Sequence, residues 1–147
     1  MMNKNQQLSP HFTLGELTKT SFQTSDNNET PLEAIENLIE ICEWLENLRF
    51  AYNFCYVLDS TDDYETSPKV ESIIINQGYR SLLVSKEMAK AGLKPSKTSN
   101  HLTGCAVDIR CVDKEHALRY ANILNNSSRL KCKPFDELFI EQRGHVC

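Results

Sequence analysis

No stretch of this chain approaches the roughly 18 consecutive apolar residues that a membrane-spanning helix requires. The opening "MMNKNQQLSP" lacks the apolar segment of a secretory signal, so the expectation is cytoplasmic synthesis without export by that route. There is no basic block, and 16 Lys and Arg face 20 Asp and Glu, a net charge of −4. That balance argues against nucleic acid as a partner. No CxxC pair occurs among the six cysteines, at 42, 55, 105, 111, 132 and 147. With no export signal beside them, they are expected to be thiols in a reducing compartment. No internal repeat is visible, and 147 residues are enough for one domain with one core.

The periodicity predicts both helices and strands. Thr30, Pro31 and Glu33 fit N-cap, N1 and N3 of a helix over 31–50. Leu32, Ile35, Leu38, Ile39, Cys42, Leu45 and Leu48 would form its apolar face. "AYNFCYVLDS" reads as a strand or broken extended piece, and "TDDYETSPK" as a surface loop. "VESIIINQGYR" reads as a strand ended by Gly78. "SLLVSKEMAKAGL" reads as a short helix capped by Ser81 and closed near Gly92. "GCAVDIRCV" is the next expected strand, followed by a helix capped by Asp113 with Leu118, Ala121, Ile123 and Leu124 as its apolar members. "PFDELFIEQ" is the last expected strand. The fold class this implies is α+β, a small and mostly antiparallel sheet with helices packed on it.

One stretch carries chemistry: "TSNHLTGCAVDI". Strand alternation would put Ala106, Asp108 and Arg110 on one face, and Cys105, Val107 and Ile109 on the core side. Asp108 then stands beside a small residue with room next to its carboxylate. A turn at Gly104 can bring His101 back towards it, and imidazole and carboxylate are zinc ligands. Spacing alone leaves a second reading open, in which His101 is a satisfied surface residue and Asp108 a solvated strand carboxylate.

Ser99, His101, Gly104, Ala106 and Asp108 spell S-x-H-x-x-G-x-A-x-D. This resembles the signature of the zinc D-Ala-D-Ala carboxypeptidases and L-alanyl-D-glutamate endopeptidases of bacterial cell walls. "FTLGELTKTSF", "DNNETP" with the helix to "LENLRF", "INQGYRS" and "PFDELFIE" are similar to that family's other segments, in the same order. The resemblance spans Leu8 to Glu141. It implies a single peptidase-like domain over 1–147, with a zinc site on the sheet face. By resemblance His101 and Asp108 are zinc ligands, and Arg80 binds substrate or the developing oxyanion. Ser99 orients the His101 loop, and Glu141 is the general base, with a solvated strand end or a partner of a metal ligand as its alternative. Gln77 stands where the family often has Ser, and Cys105 replaces a polar residue.

The family's W-x-H segment, which carries its third ligand, is the main departure. Here "QRGHVC" follows Glu141, and the one tryptophan is Trp44 in the first helix. His145 is the candidate third ligand, and the chain reads as lacking the family's last strand. His11 and His116 match no family ligand and are expected as surface or helix residues. The function implied is zinc-dependent hydrolysis of peptide bonds in peptidoglycan, on the stem peptide. The enzyme would be a monomer resembling phage endolysin domains, acting at the wall without membrane association. The alternative is a catalytically inactive wall-binding or structural domain on the same fold. An unrelated α+β interaction module would bind no divalent metal.

Overall fold

The computed structural model describes residues 3–58, 69–131, 138, 140 and 145–146. Among the described residues the architecture is α+β, with short antiparallel strand pairs and four α-helices. By contact density the chain divides into two compact units, Met1–Glu43 with Ile75–Asp108 and Trp44–Ile74 with Ile109–Cys147.

The first unit begins with β1 (Gln7–Ser9) and β2 (Phe12–Thr13), paired antiparallel with Gln7 opposite Thr13 and Ser9 opposite Phe12. Helix α1 (Leu14–Thr18) follows at once. Thr13 starts it with a capping box: its hydroxyl accepts from Glu16 N at 3.3 Å, and Glu16 Oε1 accepts from Thr13 N at 3.2 Å. Phe12, Leu14 and Leu17 are buried. Helix α2 (Leu32–Tyr52) lends its first half to this unit, and the Pro31 carbonyl accepts its first bond, from Ile35 N at 3.0 Å. Ala34, Leu38 and Cys42 are buried at i, i+4, i+8. Leu32 and Ile39, expected on the apolar face, are exposed, because the buried stripe runs through Ala34 instead.

Strand β3 (Ile75–Gln77) is shorter than the sequence suggests, although the alternation is present: Ile73 and Ile75 are buried and Ile74 is exposed. Helix α3 (Leu82–Lys90) has Ser81 as N-cap, accepting from Val84 N at 3.3 Å, and Gly92 follows with φ +88°, as the sequence reads. A 3₁₀ turn (Asn100–Thr103) ends this unit's regular structure before β4 (Asp108–Arg110). The expected strand from Gly104 is therefore reduced to three residues. Cys105, placed on the core side by strict alternation, is exposed, and Val107 is half-buried.

In the second unit α2 continues through Leu45, Leu48 and Tyr52, all buried, into a π-helical segment Asn53–Leu58. The sequence reads there as a strand or broken extended piece, and the segment is helical instead. Two features favour continued helix. Phe50 stacks on Phe54 and Tyr52 packs on Tyr56, pairs four residues apart. Asn53 is buried and donates to the carbonyls of Arg49 at 2.7 Å and Glu71 at 2.9 Å, while accepting from Glu71 N at 2.7 Å. Strand β5 (His145–Val146) pairs antiparallel with β4, Ile109 opposite Val146 and Arg110 opposite His145. Arg110 N also donates to Ile74 O at 2.9 Å.

Helix α4 (Lys114–Lys131) is started by Asp113, whose Oδ1 accepts from His116 N at 2.8 Å. Its buried stripe is Ala117, Tyr120, Leu124 and Ser127; Leu118, expected inside, is exposed. Tyr120 meets Tyr52 edge-on at 4.9 Å. Cys42, Cys55, Cys105 and Cys111 carry thiols rather than disulfides. Among the described residues no helix is long and apolar enough to cross a membrane. The expected loop over 61–69 and the expected last strand over 134–142 lie almost wholly outside the described residues.

Candidate functional site

Two loop segments of the first unit carry His101, Asp108 and Arg80. The His101 segment is set by a cap and a glycine. Ser99 Oγ accepts from His101 N at 3.2 Å and starts the 3₁₀ turn. Gly104 ends it in the left-handed region at φ +76°, and a Cβ there would lie 2.6 Å from the Ala34 carbonyl oxygen. The turn is anchored to α2, because Asn37 Nδ2 donates to Thr103 O at 2.9 Å. The turn at Gly104 thus reverses the chain between His101 and Asp108.

The second segment, Gly78–Ser81, packs against the first. Tyr79 N donates to Leu17 O at 2.8 Å, and a Cβ on Gly78 would lie 2.0 Å from that same oxygen, so only glycine fits. Arg80 N donates to His101 O at 3.1 Å. In return the His101 ring reaches back: Nδ1 lies 2.8 Å from Gly78 O, a bond that requires the proton on Nδ1.

That bond decides what the other ring nitrogen does. His101 Nε2 lies 3.5 Å from Asp108 Oδ1, with the histidine residue 8 % exposed and the aspartate side chain 22 % exposed. With Nδ1 protonated, a neutral ring turns its Nε2 lone pair on a carboxylate, and two acceptors facing one another repel. A positive charge between them resolves the conflict, either a proton on Nε2 or a metal cation. The donor set suits a metal. A tetrahedral zinc with bonds of about 2.0–2.2 Å separates two ligand atoms by roughly 3.3–3.5 Å. A carbonyl on the distal nitrogen is the usual means of orienting a ligating imidazole. Two donors do not complete a zinc site, and among the described residues no group of three or more His, Cys, Asp or Glu side chains gathers.

Arg80 is 5 % exposed, and its Nε donates to Ser85 Oγ on α3 at 3.0 Å. Burial pushes its guanidinium below the ordinary arginine value, and the negative charge of Asp108 opposes that shift. The structure therefore brings three of the candidate residues into one network: His101, Asp108 and Arg80. Glu141 lies outside the described residues. His145 belongs to β5 in the second unit, its backbone opposite Arg110. His11 is exposed. His116 is half-buried on α4, its ring 4.3 Å from that of Tyr120, with Nδ1 accepting from Val112 N at 3.1 Å.

One residue of the network carries no chemical signal in the sequence. Asn28 is buried, at φ 50°, and its side chain bonds to Thr18, Tyr79 and Ser81. The available cue was "DNN" before a helix start, a place where Asn tolerates the left-handed region. Comparison with protein-family models, with curated proteins and with solved structures gave no match.

Proposed function

We propose that the chain is a zinc-dependent peptidase acting on the stem peptides of bacterial peptidoglycan, with His101 and Asp108 as zinc ligands and Arg80 as the substrate-facing cation. One observation carries the proposal: His101 commits Nδ1 to the Gly78 carbonyl and sets Nε2 3.5 Å from Asp108 Oδ1. That separation matches two ligands of one tetrahedral ion, on the stretch whose wording resembles the wall-peptidase signature.

Zinc bound there supplies Lewis acidity towards a peptide carbonyl. The protein's own contributions are positional and electrostatic. Gly78 O fixes the imidazole tautomer and Ser99 fixes the backbone at His101. Arg80, held at Nε by Ser85, offers a permanent positive charge to a substrate carboxylate or a developing oxyanion. Glu141 as general base and His145 as third donor belong to the same proposal through the sequence resemblance. The protein would act at the cell wall as a phage endolysin-like enzyme.

Zinc titration of the purified protein, its His101→Ala and His145→Ala variants, and dye release from labelled cell walls test this together. The expected result is zinc binding that His101→Ala abolishes and His145→Ala weakens, with wall cleavage dependent on the metal. A protein that binds walls without releasing dye would be a non-catalytic wall-binding domain. A protein that binds neither zinc nor walls would leave His101 and Asp108 as an ion pair.

A further inference from the structure

We infer that Asn28 is the positioning residue of this site: its side-chain amide fixes the Gly78–Ser81 turn, and through that turn the tautomer of His101. The inference rests on the reading of His101 as a donor through Nε2. Asn28 Nδ2 donates to Thr18 O at 2.7 Å and to Tyr79 O at 3.1 Å, and Oδ1 accepts from Ser81 N at 2.7 Å. The partners settle which end of the amide is which, because two carbonyls face the nitrogen and one N–H faces the oxygen. The residue is 2 % exposed, so water does not replace a lost partner cheaply.

The three bonds reach across 10, 51 and 53 residues of chain. They hold the carbonyl before Arg80 and the amide after it. Two further polar groups of the turn are spent on His101: Gly78 O accepts from the imidazole, and Arg80 N donates to His101 O. The turn is thus bonded to Asn28 through Tyr79 and Ser81, and to His101 through Gly78 and Arg80. Displacing Tyr79 O and Ser81 N moves Gly78 O, and the ring loses the acceptor that keeps its proton on Nδ1. No other side chain fits these three partners. Aspartate keeps the Ser81 bond but turns a carboxylate oxygen on two carbonyls, and glutamine is one methylene too long. The backbone adds a condition, since φ 50° suits Asn or Gly and few other residues.

Two variants separate the amide from the backbone. Asn28→Gly accepts the positive φ and deletes the amide; Asn28→Asp keeps the shape and deletes the donors. The readout is the ¹⁵N spectrum of His101 in metal-free protein at alkaline pH, where an imidazole is neutral, which distinguishes a proton on Nδ1 from one on Nε2, with circular dichroism alongside. The wild type should show the proton on Nδ1. Both variants should keep their helices and lose that single pattern, and zinc affinity should fall about tenfold or more, as when a partner of a ligand is removed. An unchanged His101 spectrum in folded variants would overturn the inference. If both variants unfold, the wild type decides: slowly exchanging Asn28 amide and Ser81 N–H protons support it, and a freely exchanging Asn28 amide overturns it. The tautomer is read without metal, so a wild type that binds no zinc refutes the peptidase reading and leaves the role of Asn28 standing on its own result.

Discussion

Gly78 and Gly104 act by what they omit. At Gly78 a methyl group would stand 2.0 Å from the Leu17 carbonyl oxygen, a backbone atom that cannot swing aside. At Gly104 the obstruction is the Ala34 carbonyl at 2.6 Å, and φ is +76°. Gly104→Ala therefore meets both a close contact and a left-handed backbone, and is expected to destabilise by about 2–4 kcal/mol. Urea denaturation measures it, and a loss below about 1 kcal/mol would mean that the turn relaxes. His101→Ala and Asp108→Ala are different in kind. Each removes one of the two facing donor atoms without deleting a large core side chain. Both are expected to abolish zinc binding and retain the helical circular dichroism signal. Unchanged zinc stoichiometry in either variant would remove that residue from the site.

Among the elements, α2 shows how a local pattern is overruled by neighbours four residues away. "AYNFCYVL" is rich in aromatic residues, which favour strand on composition. Once Tyr52 and Phe50 are helical, Tyr56 and Phe54 fall on their faces, and the helix continues as a π-segment. Asn53 secures that segment through three hydrogen bonds, two of them to Glu71. Asn53→Ala is expected to cost about 1–3 kcal/mol, since it strands polar groups next to buried surface. Loss of helical circular dichroism and a lower denaturation midpoint would register it. A midpoint equal to wild type would show that the aromatic pairs suffice.

For the molecule as a whole, acid is the informative stress. Asp26 is partly buried, which alone would raise its carboxyl, but hydrogen bonds from the Thr24 and Ser81 hydroxyls and from Asn28 N–H outweigh that and hold it below the usual value. The folded value lies under the unfolded one, so the contribution is complete above the unfolded value, about 3.9 for Asp, and is lost as pH falls through the folded one. Wild-type protein should melt higher than Asp26→Asn at pH 7, with the difference shrinking below about pH 4. A difference that stays constant would show that the carboxylate is not preferentially stabilised. Thiol titration addresses the cysteines. Cys42, Cys55, Cys105 and Cys111 should all react in denaturant, and failure of any two would indicate a bridge that the structure does not contain.

Local chemistry was legible in the residues alone. Ser81, Asp113 and Gly92 punctuate α3 and α4 as their types require, and the glycine before Asp108 announced a reversal that could return His101 to it. The mixed α+β class also followed from periodicity. The α1 capping box is equally present in "TLGE", but a helix of only five residues is too short to show an apolar period beside it. Tertiary structure decided the rest. On α2 Leu38, Cys42, Leu45 and Leu48 are buried as the period predicts while Leu32 and Ile39 are exposed, and on α4 the buried stripe runs through Ala117 and Tyr120 rather than Leu118 and Ala121, because burial depends on the neighbouring elements and not on the helix itself. The strand before Asp108 shortened, since a strand exists only as far as a partner bonds to it. The tautomer of His101 depends on a carbonyl 23 residues away, and the position of that carbonyl depends on Asn28. Neither dependence has a sequence period, because hydrogen bonds between distant segments follow the path of the folded chain.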